Sequence, residues 1–412
     1  MYSGNIAWIL TSASLVLLMT PGLAFFYGGM SRSKSVLNMM MMSFSAIGVV
    51  GVLWVLVGFS ISSGSDSVGG WFGNPATDFG MTEIFQDPDG INLILAAFGA
   101  TFAIITVALI SGAVADRMKF SAWIIFAGLW AVLVYSPVSH WVWGGGLLSG
   151  EAGMIFENMT APQDIAGGTV VHINAGVAGL VLCLLLGVRK GFGKEPFRPH
   201  NMPFVMLGAA LLWFGWFGFN AGSEWAADAG AAQIWLNTLA APAAAMLAWL
   251  VTEKIRDGKA TSLGAASGVV AGLVAITPAA LSVDPLGALA IGVIAGVLCA
   301  LAVGLKYKFG YDDSLDVVGI HLVGGIVGTL LIGIFATDTN SFGAAGLFYG
   351  GDGSLLLAQA IAAGVVIVYS AVVTLIIGLA IKHTIGLRVT EEIEIAGIDL
   401  AEHGETAYEE AK

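Results

Sequence analysis

The sequence predicts an all-α polytopic membrane protein with eleven transmembrane helices, arranged as two inverted five-helix repeats plus one additional helix. Composition gives the class: 57% of the 412 residues are hydrophobic and 11% charged, with a mean hydropathy of +0.87, more than a soluble core of this size requires. The apolar runs give the architecture, because each is about 20 residues long and so matches the ~30 Å hydrocarbon core of a bilayer. A doubled motif gives the symmetry. Residues 164–179 read DIAGGTVVHINAGVAG and residues 313–328 read DSLDVVGIHLVGGIVG. In each, a histidine (His172 or His321) stands eight positions after an aspartate, with glycines four and seven positions further on.

The apolar runs fall at 6–30, 37–61, 91–113, 119–136, 165–188, 202–221, 231–252, 262–277, 285–305, 317–336 and 354–381. The first has neither a basic flank nor a small-residue cleavage site, so it is expected to remain a span. Basic residues then mark every second gap. Arg32 and Lys34 follow the first run, Arg117 and Lys119 the third, and Arg189, Lys190, Lys194 and Arg198 the fifth. Lys254, Arg256 and Lys259 follow the seventh, Lys306 and Lys308 the ninth, and Lys382, Arg388 and Lys412 the eleventh. All 16 Lys and Arg residues therefore lie on one side. That side is expected to be cytoplasmic, with the amino terminus outside and the carboxyl tail inside a cell membrane. The opposite side carries acids, among them Asp66, Asp78, Asp87, Asp89, Glu151, Glu224 and Asp228. Such a negative mouth enriches a small cation. The net charge of −12 argues against nucleic acid as a partner. Cys183 and Cys299 fall inside apolar runs and read as packing residues.

Chain direction sets depth. The run with His172 passes inward and the run with His321 outward, so at ~1.5 Å per residue each histidine lies ~12 Å below its own aspartate. Counted from opposite faces, both come out near the midplane, and an offset of five spans inverts the topology. The expected organisation is a membrane domain over 1–385, with halves at about 1–200 and 201–340 and an eleventh helix at about 354–381, then a cytoplasmic tail over 386–412. The glycines after each histidine share its helix face, where another helix can approach closely. Two such imidazoles read as packing residues, as metal ligands, or as the lining of a proton or solute path. Matched positions in inverted halves favour the path, and the absence of Cys, Asp or Glu within a turn of either histidine weakens the metal. Asp164 and Asp313 sit just ahead of their runs, where a carboxylate caps free N–H groups and meets the positive helix end. Direct proton handling is their alternative role, and Asp316 reads as another first-turn acid.

The stretches DIAGGTVVHINAG at 164–176, HWVWGGGLL at 140–148 and WFGWFGFNAGS at 213–223, with GLRVTEEIEIAGIDLAEHGETAY at 386–408, resemble the ammonium transporter family (the Amt/MEP/Rh group), on its Amt branch. The resemblance covers nearly the whole chain. It implies a homotrimer of eleven-helix protomers in the lipid bilayer, each with a pore for ammonium or ammonia and for the analogue methylammonium. It implies that Trp143, Phe102, Ser223 and Asp164 build an outer recruitment site beside Phe98, that Phe102 and Phe219 gate the pore, and that His172 and His321 line it. Trp216 and Ser267 match further pore residues, and Gly99 stands where some members carry glutamine. The tail, by the same resemblance, packs on the cytoplasmic face, couples subunits and can receive a PII-type regulatory protein. Its acidic composition alone reads as a solvated segment.

The chemistry of these residue types agrees with such roles. A compact N–H cation gains roughly 0.5–2 kcal/mol over an indole face. Packing or interfacial anchoring is the rival reading for each aromatic, and it is preferred for Trp141 and Trp213. Below the aromatic gates a bare cation costs many kcal/mol, so neutralisation is the expected escape. Ammonium is expected to give up its proton at the outer gate and ammonia to pass His172 and His321, the proton travelling separately or not at all. No metal or cofactor is expected, and no nucleophile–base pair suggests an enzyme. The rival functions are an ammonium sensor or receptor on the same scaffold and a neutral-gas channel of the Rh type. A gas would not require the cation site at Trp143 and Ser223.

Overall fold

Segments that are apolar on every side satisfy their backbone only as helices when taken into hydrocarbon. The structure, a computed structural model, describes residues 2–64, 66–87, 89–150 and 154–408, and Glu151 and Lys412, counted above, lie outside the described residues. Among the described residues ten helices are long and apolar enough to cross a membrane. They are α1 (Ser3–Met30), α2 (Val36–Ser63), α3 (Ile91–Val114), α4 (Phe120–Trp143), α5 (Gly168–Leu186), α6 (Met202–Gly222), α7 (Ala229–Asp257), α9 (Pro285–Phe309), α10 (Val318–Phe335) and α11 (Ser354–Thr384). The eighth expected span is a shorter helix, α8 (Ser262–Ile276), of 15 residues. It stops beside Pro278, which has no N–H to continue the ladder.

Two expected boundaries move. α4 continues past Pro137 to Trp143 because a wide π turn at Ala131–Tyr135 precedes the proline, and the Ser136 hydroxyl donates to the Ala131 carbonyl at 3.0 Å. α7 runs on to Asp257 and ends at Gly258, whose left-handed φ of 83° closes the helix. Among the described residues one pair of strands forms, Ser67–Val68 with Phe72–Gly73, in the α2–α3 connection.

Close helix contacts are made where glycines remove side chains. α1 lies against α6, where a Cβ on Gly208 would fall 2.3 Å from Phe26 N and one on Gly218 would fall 2.7 Å from Leu15 Cβ. The Trp8 indole ties the same pair by donating to the Ala221 carbonyl at 3.0 Å.

The tail is not a free solvated segment. It forms a short helix, α12 (Glu391–Ala396), and buries Glu394, Ile398 and Asp399. The Asp399 carboxylate accepts from Leu37 N at 3.0 Å and Asn38 N at 2.8 Å, capping α2, whose preceding Ser35 makes no side-chain cap. Glu394 accepts from Arg388 at 2.6 Å and from Lys190 N at 2.8 Å. The acids that composition assigns to water are matched here by basic side chains and free N–H groups on one end of the helical bundle.

Candidate functional site

Each motif histidine sits where a helix starts with a wide turn. α5 opens with a π-helical stretch over Gly168–Ile173 and α10 with one over Val318–Leu322, before ordinary α-helix follows. The preceding aspartates secure these openings. Asp164 accepts from the N–H groups of Gly167 (2.7 Å), Gly168 (2.8 Å) and Thr169 (2.8 Å) and from the Thr169 hydroxyl. Its carboxylate is thereby turned onto the backbone. Asp313 accepts from Val317 N (3.1 Å) and Val318 N (2.7 Å) in the same manner. Asp316 departs from the expected first-turn cap: its backbone is left-handed, φ 65°, and its carboxylate meets Lys306 Nζ at 2.7 Å. A left-handed residue points its side chain away from the N–H groups that a capping acid serves.

The glycines then bring the two openings together. A Cβ on Gly176 would lie 2.5 Å from Leu322 N, and one on Gly325 would lie 3.1 Å from Ile173 N. Three residues on, Gly179 faces Ala113 of α3 and Gly328 faces Ala275 of α8. Replacing Gly176 with valine is therefore expected to force α5 and α10 apart, at a cost of about 1–3 kcal/mol. Thermal unfolding of the purified protein reads this as a lowered midpoint; an unchanged midpoint removes the close approach.

At the crossing the His321 and His172 Nδ1 atoms are 3.2 Å apart. Their rings are inclined by 19°, and the Trp216 indole stacks on His172 at the same inclination, 5.6 Å away. Two nitrogens at this distance share one proton, so one ring donates through Nδ1 and carries a bare Nε2, and the other accepts and carries an Nε2–H. His172 Nε2 is buried with no partner among the described residues. Trp216 is fixed by donating to Thr277 Oγ1 at 2.8 Å. These rings line a cavity of ≈ 10 Å³ with Phe219, Phe26, Val270 and other apolar side chains, none of them a carboxylate. That volume is roughly what one water-sized molecule needs. Ser267 is buried on α8, three residues before Val270.

Phe219 is stacked on Phe102, centroids 4.1 Å apart and planes 16° apart. Phe102 faces the other way into a second cavity of ≈ 870 Å³, shared with Phe98, Trp143, Ser223 and Asp164. The phenylalanine stack thus stands between a roomy cavity and a small one lined mostly by apolar side chains. Trp143 is 39% exposed, and its indole N–H is occupied by the Asp164 carbonyl at 2.9 Å, so its ring faces are left for contact. The Ser223 hydroxyl donates to the Phe219 carbonyl at 2.8 Å, which turns its lone pairs elsewhere. Trp141 and Trp213 donate to the Trp71 and Thr238 carbonyls, at 2.7 and 3.2 Å, and serve packing.

Two tryptophans that line the outer cavity escape sequence reasoning. Trp54, on α2, fills the space beside Gly99: a Cβ there would lie 2.8 Å from the Trp54 ring. No sequence signal marks it. Trp225 lies two residues after Ser223, at the edge of a recognised motif, and its position there was the available signal.

A third cavity, ≈ 480 Å³, opens among Arg189, Arg256, Lys306, Ser314 and Asp316. Its charges are internally paired. Arg189 holds Asp312 at 2.9 Å and Asp116 at 3.2 Å. Burial works against the Asp312 charge, but the guanidinium outweighs it and holds the carboxyl below the usual carboxylate range.

With this geometry in place, residues 7–408 match the sequence model of the Ammonium Transporter Family. The chain belongs to that family. It is 58% identical to an ammonium transporter of Mycobacterium tuberculosis (strain H37Rv) over 98% of this chain and 90% of that one. Among solved structures, this family member superposes on a sensor Amt protein with a TM-score of 0.89 at 30% identity, covering 97% of this chain and 98% of that one. It superposes on Mep2 of Saccharomyces cerevisiae with a TM-score of 0.86 at 32% identity, over 95% and 88% of the two chains. Ammonium transport and a multi-pass membrane location follow from membership, and the family's members are transporters rather than enzymes.

Proposed function

We propose that the chain recruits ammonium in the outer cavity, where it gives up its proton to the solvent that this open cavity admits, and conducts ammonia past Phe102, Phe219, His172 and His321, the proton crossing by a separate route or not at all. The observation that carries this is the succession of environments. A roomy cavity with aromatic faces at Trp143, Phe98 and Phe102 and an acceptor at Ser223 gives way, across the phenylalanine stack, to ≈ 10 Å³ without a carboxylate. A cation is favoured over the indole and is strongly disfavoured in the small cavity, whose lining is mostly apolar and holds no anion. Ammonia is not. It carries three donors and one acceptor, and the paired imidazoles offer it one Nε2 of each kind. Potassium has no proton to lose, so the same barrier rejects it. Asp164 supports the site by holding Trp143 and the start of α5, and Trp216 and Ser267 belong to the pore wall.

The reciprocal contacts of Gly176 with Leu322 and of Gly325 with Ile173, and the matching pair Gly179–Ala113 and Gly328–Ala275, support two inverted five-helix halves, about 1–200 and 201–340. On this reading α8 completes an eleventh span with the residues around it, and α11 stands outside the repeat. The basic ends of the helices, the acidic opposite side and the packed tail over 386–412 support a cell-membrane protein with its amino terminus outside and its tail cytoplasmic. There the tail is available to a PII-type regulator and to neighbouring protomers of a homotrimer.

Uptake of labelled methylammonium by cells lacking their own transporters tests the function. The chain is expected to restore uptake, and Trp143→Leu to reduce it roughly 3- to 30-fold, the kinetic equivalent of one lost cation–π contact. The likeness to a sensor Amt protein favours a second reading, in which ammonium is bound but not moved. Binding without uptake would establish that reading in place of conduction.

A further inference from the structure

We propose that Trp225 is a specificity-determining residue of the outer cavity, its indole extending the aromatic wall of Phe98, Phe102 and Trp143 so that the cavity holds N-methylated ammonium ions in preference to ammonium. The inference rests on the reading of that cavity as the recruitment site. Trp225 follows the end of α6 by three residues and is half-buried, with a left-handed backbone of φ 61°. A bulky L residue occupies that region only under strain, whereas glycine or asparagine occupies it readily. An indole is therefore held where the backbone would prefer a small residue.

The strain places the ring in contact with the aromatic series. Trp225 stands edge-on to Phe98, centroids 5.0 Å and planes 69° apart. Phe98 lies 4.8 Å from Phe102, and Phe102 is edge-on to Trp143 at 6.0 Å and 84°. The result is a chain of four rings with an indole at each end, all lining the ≈ 870 Å³ cavity. So large a cavity does not sort cations by size. Sorting must come from ring contact, and a methyl group on the cation adds apolar contact with the Trp225 indole while the charge keeps its attraction to the aromatic faces of the same cavity.

The test uses the full chain in transport-deficient cells, with apparent KM for methylammonium and for ammonium measured on the wild type, Trp225→Asn and Trp225→Phe. Asparagine accepts the left-handed backbone, so thermal unfolding is expected to be unchanged or raised. Its KM for methylammonium is expected to rise roughly 3- to 30-fold, with a smaller rise for ammonium and a maximal rate near wild type. Phenylalanine is expected to restore most of the KM ratio. A Trp225 that only packs would instead lower the melting temperature and maximal rate at a fixed KM ratio, and that result overturns the proposal. Uptake of both cations by the wild type with an unaltered ratio in Trp225→Asn removes this inference alone. If the wild type takes up neither cation, the reading of the cavity fails and this proposal fails with it.

Discussion

Replacing His172 with leucine is expected to cut ammonium-driven current in proteoliposomes by roughly 10- to 100-fold while leaving the fold intact. Leucine fills similar space, so packing against Trp216 and Phe219 is largely kept. What is lost is the 3.2 Å contact with His321 and one of the two imidazoles that line the small cavity. An unpaired buried polar group costs about 1–3 kcal/mol, and a barrier raised by that amount slows passage by the stated factor. His321→Leu should act equally, and the double replacement should be little worse than either, because the two rings work as one unit. Current equal to wild type in either variant removes the imidazoles from the path. Uptake without current in the wild type itself would leave neutral ammonia as the only species that crosses.

Cutting the chain after Arg388 is expected to leave a folded trimer with altered flux. The cut removes Asp399, and with it the partners of Leu37 and Asn38 N–H at the start of α2. It also removes Glu394, which joins Arg388 to the Lys190 backbone. Asp399→Ala isolates the first of these effects: loss of a helix cap is worth about 0.5–2 kcal/mol, read as a lower unfolding midpoint in detergent. Size-exclusion chromatography and methylammonium uptake distinguish the outcomes for the truncation. Wild-type flux together with unchanged binding of a PII-type protein would take away the regulatory role of the tail.

Much of the helical plan was legible because its signals are local. Apolar runs of bilayer length need no partner to be recognised, and most observed helices begin and end within a few residues of them. Where the reading missed, non-local or unusual backbone geometry was responsible. The fourth apolar run is expected to end at 136, just before Pro137, but a wide turn at Ala131–Tyr135 accommodates the proline and carries α4 to Trp143. Asp316 had the composition of a capping residue and the backbone of something else. The tail looked solvated because composition does not record that Asp399 has α2 to cap, about 360 residues earlier in the chain. Trp54 carries no motif at all, and its place beside Gly99 exists only once α2 and α3 are packed.

By itself the sequence determined that this chain forms apolar helices, that its basic residues all fall in alternate connections, and that two histidines occupy equivalent registers ahead of paired glycines. Those are properties of spacing and side-chain chemistry, fixed before any two helices meet. Only the tertiary structure decided that the two imidazoles come to 3.2 Å, that the Phe102–Phe219 stack stands between two cavities, and that the Trp225 ring meets Phe98 in the wall of the outer one. Such relations are distances between elements far apart in the chain. They depend on how closely the glycines let backbones approach, and only the packed helices set that.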